Sequence, residues 1–420
     1  MGQAEEVPRD GILHEASPLR NSGFARVFWA GVASKSGSSV TAVVLAFFVY
    51  SVTHNALALG SVAISETLAG MIFSLPAGTL ADRYDRKRLM VLSDVVRGAG
   101  IAVLASYLVL IGFSLPFVVS VAFVVAGVGT VFGPAERALI PSLVSKASIS
   151  DANGLVFSSR SFVSFVGASV AGVMIAAVGA PESLIYNTIT FGVSALLLSF
   201  IHSTKPSGPT RITKSNLLSE TKEGIKWLMS SPGLFQLTIS AMFLNFFFTI
   251  PFTYYVVYSS ALSSSSIVYG LLIGATLAGT AIGSMLVGRT KALRHSGKVW
   301  VLGYGFGVGL SVVALVLFPT IAVAMPVSLC MGVFYGFVGI TWLTTAQLVV
   351  PGEMQGRYFG VDTLGSIAIL PLSQLVGGLL VQSQGIMWTF LFSGMGLIIT
   401  GVVFMLPRSL RRLRVEGGQK

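Results

Sequence analysis

One short charged stretch decides the fold of this chain: Gly78-Thr79-Leu80-Ala81-Asp82-Arg83-Tyr84-Asp85-Arg86-Lys87-Arg88, between two long apolar runs. Its last seven residues carry six charges, and four of these are basic. A charge at the bilayer centre costs about 2.5–3.5 kcal/mol on insertion scales, so such a cluster must form a tight loop at a membrane face. Because Lys and Arg accumulate in short inner loops, this loop is predicted to be cytoplasmic.

The composition is that of a membrane protein. Of the 420 residues, 53% are hydrophobic and only 10% are charged, and the mean hydropathy is +0.82. Soluble domains carry about 25% charged residues. A net charge of +11 would suggest nucleic-acid binding in a soluble chain, but here it reports Lys and Arg concentrated in inner loops. We therefore expect no nucleic-acid partner.

The sequence indicates no catalytic, metal or cofactor site. The single cysteine, Cys330, lies in an apolar run, and the four scattered histidines lack the spacing of metal ligands. A phosphate-binding loop of the form Gly-x-x-x-x-Gly-Lys-Ser/Thr is missing, so ATP is not expected to drive the protein directly. A membrane-embedded enzyme would need a catalytic constellation at one depth, and none is visible. This class is therefore disfavoured.

Twelve segments reach the length of about 20 apolar residues that a helix needs to cross a bilayer. We number them spans 1 to 12 in chain order, at 27–51, 57–80, 89–111, 116–140, 153–178, 183–202, 233–258, 266–288, 298–318, 321–345, 358–381 and 386–406. The loops on one side are basic and those on the other contain no Lys or Arg. With an even number of spans, both termini are expected in the cytoplasm of a plasma-membrane protein.

The longest polar interruption divides the spans six and six. The expected organisation is an N-terminal tail, a six-span half, a linker with an amphipathic helix at the inner membrane surface, a second half and a basic tail, at 1–26, 27–202, 203–231, 232–406 and 407–420. Gly78 and Gly288 are 210 residues apart, as are Pro141 and Pro351. These offsets favour two halves related by a parallel repeat.

The charged stretch resembles the signature of the major facilitator superfamily, which joins the second and third membrane helices. Asp85 stands where many members have Gly, so the turn must form without that residue's freedom at positive φ. Segments 132–141, 151–154, 223–228 and 356–360 are similar to the branch of enterobactin exporters, macrolide-efflux proteins and lysophospholipid transporters. The resemblance implies an all-α integral membrane protein of 12 transmembrane helices in two six-helix pseudo-symmetric halves.

Ionisable residues inside spans are functional candidates by default, because burying them is costly. One group lies near the cytoplasmic ends of the spans. One interpretation is that these residues form structural pairs that hold the bundle shut. The resemblance implies a second one, that they form the inner gate and conformational network. The two interpretations are close to each other. A role in substrate binding is the less favoured one. The group comprises Gly78, Asp82, Arg83, Arg86, Arg88, Asp94, Arg97, Glu136, Arg137, Arg357 and Asp362, with Arg160 nearby.

Lys35 and Glu66 lie deeper in spans 1 and 2. Their heights differ by one or two helical turns, so a long Lys side chain could reach the carboxylate. Two interpretations stay open: a structural ion pair that never titrates, or a proton-coupling carboxylate with Lys35 as its partner.

Polar and aromatic residues in spans 7 and 10 are expected to line a substrate cavity: Asn245, Phe248, Tyr254, Tyr255, Tyr335 and Trp342. The function predicted is proton-coupled export of an amphipathic, drug- or siderophore-like small molecule by alternating access, in a monomer that contacts membrane lipid. The alternative is a lysophospholipid transporter that moves lipid between leaflets. A channel is disfavoured, because paired charges near one face suit a gate that closes in each cycle.

Overall fold

The computed structural model describes residues 17–145, 148–201, 217–287, 290 and 296–406. All regular structure in these residues is helical. Spans 1 to 6 are Ser22–Thr53, Ala56–Arg83, Arg86–Leu110, Leu115–Gly129 with Phe132–Leu139, Ile149–Val178, and Ala180–Ser199. The linker helix is Leu217–Ser230. Spans 7 to 12 are Pro232–Thr253 with Tyr255–Leu262, Ser266–Leu286, Ser296–Trp300 continued by Val301–Val308 and Gly309–Leu317, Ile321–Val349, Gly352–Gln384, and Ile386–Met405.

Eleven of the described helices are long and apolar enough to cross a membrane. Span 6 is not among them, although it packs against spans 1 and 3 as part of the first six-helix half. Its apolarity is lowered by polar residues such as Asn187, which is buried and donates from Nδ2 to Thr41 Oγ1 at 2.6 Å. Because that amide is satisfied inside the bundle, the helix needs no water at this level. The predicted all-α fold of two six-helix halves is confirmed.

The turn between spans 2 and 3 forms without a residue at positive φ, as the sequence requires. Tyr84 and Asp85 have φ values of −109° and −58°. Asp85 is the N-cap of span 3, and its Oδ1 accepts a hydrogen bond from the backbone N–H of Arg88 at 3.2 Å. An aspartate at this place therefore caps the next helix, which a glycine could not do with a side chain.

The two halves meet along spans 2 and 11, spans 5 and 8, and span 1 with the second helix of span 7. We call the end of the bundle that carries loop 84–85 the basic face and the other end the opposite face. Gln374 Nε2 donates to Thr67 Oγ1 across spans 2 and 11 at 3.1 Å. Ser266 Oγ donates to the carbonyl oxygen of Gly172 at 2.9 Å across spans 8 and 5. These contacts lie from mid-membrane toward the opposite face.

Spans 5 and 8 cross with almost no side chains between them. A Cβ at Gly172 would lie 2.6 Å from the carbonyl oxygen of Ser266, and one at Gly270 would lie 3.0 Å from Gly172 Cα. Real Cβ atoms do not approach so closely, so this crossing requires glycine on both helices. Small residues allow close approach of helices in lipid, where apolar burial contributes little to helix association.

The linker helix packs on span 11. Trp227 lies against Tyr358 with ring centroids 6.5 Å apart, and Leu228 is buried. The predicted helix is thus present, while residues 203–216 lie outside the described part of the chain. The same holds for residues 1–16 of the N-terminal tail, for the tail 407–420 and for the side chain of Asp82.

Candidate functional site

Four adjoining chambers form a cavity that extends from the first half into the second. The N chamber has a volume of about 420 Å³, and its lining includes Ser38, Glu66 and Arg97. The bridging chamber, about 230 Å³, shares Glu66 with it and reaches Gln374 on span 11. The cavity therefore has walls from both halves, as a site that two rocking halves can expose in turn requires.

Two further chambers continue the cavity into the second half. The C chamber has a volume of about 570 Å³ and shares Gln374 with the bridging chamber. The aromatic chamber, about 340 Å³, shares Asn245 and Tyr335 with the C chamber and ends at Asp362. The cavity thus has one ionisable acid, Glu66, between its first two chambers and another, Asp362, in its last chamber.

Glu66 lies at the wall between the N chamber and the bridging chamber. It is ten residues from the start of span 2, or about 15 Å along the helix. Its side chain is exposed to the cavity. Among the described residues, no hydrogen bond or ion pair to its carboxylate is found.

The expected ion pair between Lys35 and Glu66 does not form in this structure. The charged groups that act on Lys35 are Arg160 and Arg97, which repel it. Arg97 donates from Nη2 to Ser38 Oγ at 2.8 Å on the same helix as Lys35. Lys35 therefore lies in a basic environment on its own side of the cavity, and its coupling to Glu66 stays a prediction.

Asp94 and Arg97 join spans 1, 3 and 6. Asp94 is fully buried, and its Oδ1 accepts from Ser34 Oγ at 3.1 Å and lies 3.4 Å from Arg97 Nη1. The guanidinium of Arg97 also lies over the ring of Phe191 on span 6, 4.2 Å from its centroid. Each charge is paired as burial requires, so this network fixes three helices around the N chamber.

The sequence-predicted cavity residues divide into two groups. Asn245, Phe248 and Tyr335 line the C chamber, and Trp342 lines the aromatic chamber. Tyr254 and Tyr255 do not line either chamber, because both are buried, Tyr254 beside Gly60 of span 2 and Tyr255 within the second half. Tyr254 donates to the carbonyl oxygen of Gln374, and Tyr255 shares a hydrogen bond with Ser328.

Several cavity residues escape prediction from the sequence. In the sequence, Gln374 is a single polar residue in span 11, and nothing distinguishes Trp300 and Tyr304 from other residues that pack in span 9. Trp300 and Tyr304 are four residues apart, which places both on one helical face. This spacing could have indicated that they share a site. In the described part of the chain, no three His, Cys, Asp or Glu side chains come together as a metal site requires.

The comparisons with known proteins agree with this geometry. A family model of the major facilitator superfamily, described as transmembrane secretion effector, matches residues 14–415. The chain belongs to this family. The multidrug efflux pump Tap of Mycobacterium tuberculosis (strain ATCC 25618 / H37Rv) is 25% identical over 412 residues, which cover 94% of this chain and 96% of Tap.

Two further proteins are similar to this member of the secretion-effector family, one in sequence and one in structure. Macrolide efflux protein A of Streptococcus pyogenes is 22% identical over 403 residues, which cover 92% of this chain and 96% of that protein. The crystal structure of the nucleoside transporter NupG superposes with a TM-score of 0.76 at 10% identity, covering 91% of this chain and 98% of NupG. At that identity the likeness shows the fold alone. The family consists of transporters and not of enzymes.

In this major facilitator protein, the basic residues of the loop between spans 2 and 3 bind within the first half. Arg86 Nη1 donates to the carbonyl oxygen of Ala138 at 2.8 Å, and Lys87 Nζ donates to that of Ser199 at 2.7 Å. They satisfy carbonyl groups at the ends of spans 4 and 6, where cations are favourable. Arg88 is exposed and lies 3.8 Å from Asp85.

The other predicted gate residues are spread over both halves. Glu136 is buried in span 4 and forms an ion pair with Arg160 of span 5, while Arg137 is exposed beside it. Arg83 is also exposed, and a Cβ at Gly78 would meet no atom within 4 Å.

In the second half, Arg357 Nη1 lies 3.2 Å from Glu223 Oε2 of the linker helix. Asp362 has no part in these pairs and lies in the aromatic chamber.

Proposed function

We propose that this protein is a proton-coupled secondary transporter that exports amphipathic, drug-like small molecules by alternating access. The observation that carries the proposal is Glu66, a carboxylate without a partner among the described residues, in a cavity with walls from both halves. The names of the relatives, a multidrug efflux pump and a macrolide efflux protein, support drug-like substrates.

The proposed orientation follows from the charges. Arg83, Arg86, Lys87 and Arg88 lie at the basic face, so this face is cytoplasmic and the protein resides in the plasma membrane with both termini inside. The described contacts between the halves lie away from this face, which supports a state open to the cytoplasm. We further propose the division into halves at 27–202 and 232–406 with a linker at 203–231, acting as a monomer among membrane lipids.

Proton coupling is proposed to act through Glu66 with Lys35. An ionised carboxylate in an apolar cavity is costly unless a cation or proton accompanies it. In the present state Lys35 lies among other basic groups and does not pair with Glu66. For export driven by a gradient that is acidic outside, Glu66 must take up its proton from the outer side and release it to the cytoplasm. An approach of Lys35 to Glu66 while the cavity is open to the cytoplasm favours that release, because it stabilises the charged carboxylate.

The remaining gate residues are proposed to bias the two access states. The loop 84–85 and Asp82 form the cytoplasmic end of this network, and Arg86 and Lys87 hold the ends of spans 4 and 6 in the present state. Because each half moves as a unit, such contacts act on the equilibrium and not on the substrate.

The alternative, transport of lysophospholipid between leaflets, predicts a cavity open sideways to lipid. A groove of about 470 Å³ does lie on the outer surface between spans 7 and 12, lined by apolar residues such as Phe247 and Phe392. It shares no lining residue with the four chambers. An acyl chain there does not meet Glu66, so the drug-like substrate is the better-supported choice.

The experiment is uptake of radiolabelled erythromycin into inside-out membrane vesicles that contain the protein, with the interior made acidic. We expect accumulation that collapses when a protonophore dissipates the gradient. Empty vesicles control for passive partition of the drug. Accumulation that persists without any proton gradient would contradict proton coupling, and the absence of protein-dependent uptake of erythromycin, ethidium and lysolecithin alike would contradict transport of amphipathic compounds.

A further inference from the structure

The aromatic chamber ends at an acidic group that the sequence had placed in the gate. Asp362 is 3% exposed, and its Oδ1 has no hydrogen-bond partner. It is part of the chamber wall together with four aromatic residues, and the nearby Trp342 Nε1 is likewise without a partner. Buried polar atoms in proteins are nearly always paired, so these two unpaired atoms in the wall of one chamber are available to a ligand bound there.

The aromatic side chains form a contiguous row in the wall of the chamber, which we call the aromatic cage. The centroids of Trp300 and Trp342 are 6.4 Å apart, those of Trp300 and Tyr304 are 5.4 Å apart, and those of Tyr304 and Tyr335 are 5.8 Å apart. Trp, Tyr and Phe rings attract cations over their faces, with Trp the strongest, and cages of this kind bind quaternary ammonium groups.

No Lys or Arg is found among the described residues that line the chamber of Asp362. Asp362 forms no ion pair within the described ranges. Arg357, one and a half turns earlier on span 11, is paired with Glu223 at 3.2 Å. This differs from the first half, where Asp94 lies against Arg97 and Glu136 against Arg160. An ionised carboxylate without a counter-charge is costly in the bilayer interior, and a cationic ligand would supply that charge.

We propose that the aromatic chamber is a subsite for the cationic group of the transported compound, a protonated amine or an onium ion. Asp362 supplies the counter-charge, Trp300, Tyr304, Tyr335 and Trp342 supply ring faces, and the apolar remainder of the ligand lies in the adjoining C chamber. This assignment rests on the proposed function, which it narrows to lipophilic cations as preferred substrates.

The test is equilibrium binding of two matched ligands to purified protein. Tetraphenylphosphonium is a permanent cation with no proton to lose, and triphenylphosphine oxide is a neutral compound with three of the same phenyl groups. The wild type is expected to bind both. Asp362→Asn is expected to weaken binding of the cation by at least about tenfold, because it removes a buried counter-charge, and to leave binding of the neutral compound unchanged.

Two further variants sharpen the comparison. Trp342→Leu is expected to weaken binding of tetraphenylphosphonium by about threefold to thirtyfold through loss of one ring face. Glu182→Gln changes an exposed carboxylate at the start of span 6 and should alter neither affinity. If Asp362→Asn does not fold, Trp342→Leu decides, because an equal loss for the cation and the neutral compound would overturn the proposal.

The outcomes separate this subsite from the transport function. A wild type that does not bind tetraphenylphosphonium, or an Asp362→Asn variant with unchanged cation affinity, overturns the cation subsite. If vesicles nonetheless accumulate erythromycin, the proposed function stands without it. Cation binding that depends on Asp362 in a protein that drives no uphill transport leaves the subsite in place and removes the proposed function.

Discussion

Glu66 and Arg97 line the same chamber of about 420 Å³ yet form no ion pair. Arg97 is occupied by Ser38 and Asp94, with distances of 2.8 and 3.4 Å from its Nη2 and Nη1. Arg97 therefore binds residues of spans 1 and 3, while the carboxylate of Glu66 on span 2 faces the cavity. This asymmetry separates a structural network from a group that is free to exchange a proton.

The structural part of this relationship predicts a large loss of stability on removing Arg97. Arg97→Met leaves Asp94 buried without its counter-charge, which costs about 3–5 kcal/mol in comparable buried pairs. We expect a lower midpoint of thermal unfolding in detergent. The double variant Arg97→Met with Asp94→Asn should recover most of the loss, because no unpaired charge remains. A single variant as stable as the wild type would show that the pair does not hold the helices.

The glycine crossing of spans 5 and 8 predicts a shift between access states. Gly172→Val places carbon atoms where the backbone of Ser266 and Gly270 lies, so the contact toward the opposite face must open. Labelling of single cysteines on the walls of the cavity should increase from the opposite face and decrease from the basic face.

The matched control is Gly192→Val, since a Cβ at Gly192 would meet no atom within 4 Å. Equal labelling in both variants would mean that the crossing of spans 5 and 8 does not control access.

The loop between spans 2 and 3 allows a paired comparison of two arginines. Arg86 donates to the carbonyl oxygen of Ala138, and hydrogen bonds to charged groups contribute about 1.5–3 kcal/mol. Arg86→Ala should therefore reduce the transport rate while leaving insertion intact. Arg88→Ala removes a side chain that is 85% exposed and should transport at the wild-type rate, because exposed ion pairs contribute little. Equal transport rates in both variants would show that the loop only sets the orientation of the spans in the membrane and does not affect transport.

Much of the fold follows from the sequence, because it depends on patterns that act locally. The length of the apolar segments predicts the spans, and the basic residues of 83–88 predict which ends of the spans face the cytoplasm. Span 6 is predicted as well, although Asn187 lowers its apolarity; the contact of Asn187 with Thr41 explains why the polar residue is tolerated.

The site was less predictable, because its chambers depend on how distant helices face one another. Depth alone suggested that Lys35 reaches Glu66, but depth does not give the rotation of a helix, and the charges that act on Lys35 are those of Arg160 and Arg97. Asp362 was grouped with the gate by its position near a helix end. Asp362 in fact lies in a chamber lined by aromatic residues of spans 9 and 10. These contacts depend on how the three spans pack, which the position of Asp362 in the sequence does not give.

Proton coupling by Glu66 is tested most directly by transport with the Glu66→Gln variant in proteoliposomes. Glutamine keeps the size of the side chain but cannot exchange a proton, so uphill accumulation of erythromycin driven by a pH gradient should be lost. Exchange of labelled for unlabelled drug across the membrane should persist, which shows that the variant is folded and still alternates access. A Glu66→Gln protein that concentrates drug against its gradient as the wild type does would contradict the central claim that this carboxylate couples protons to export.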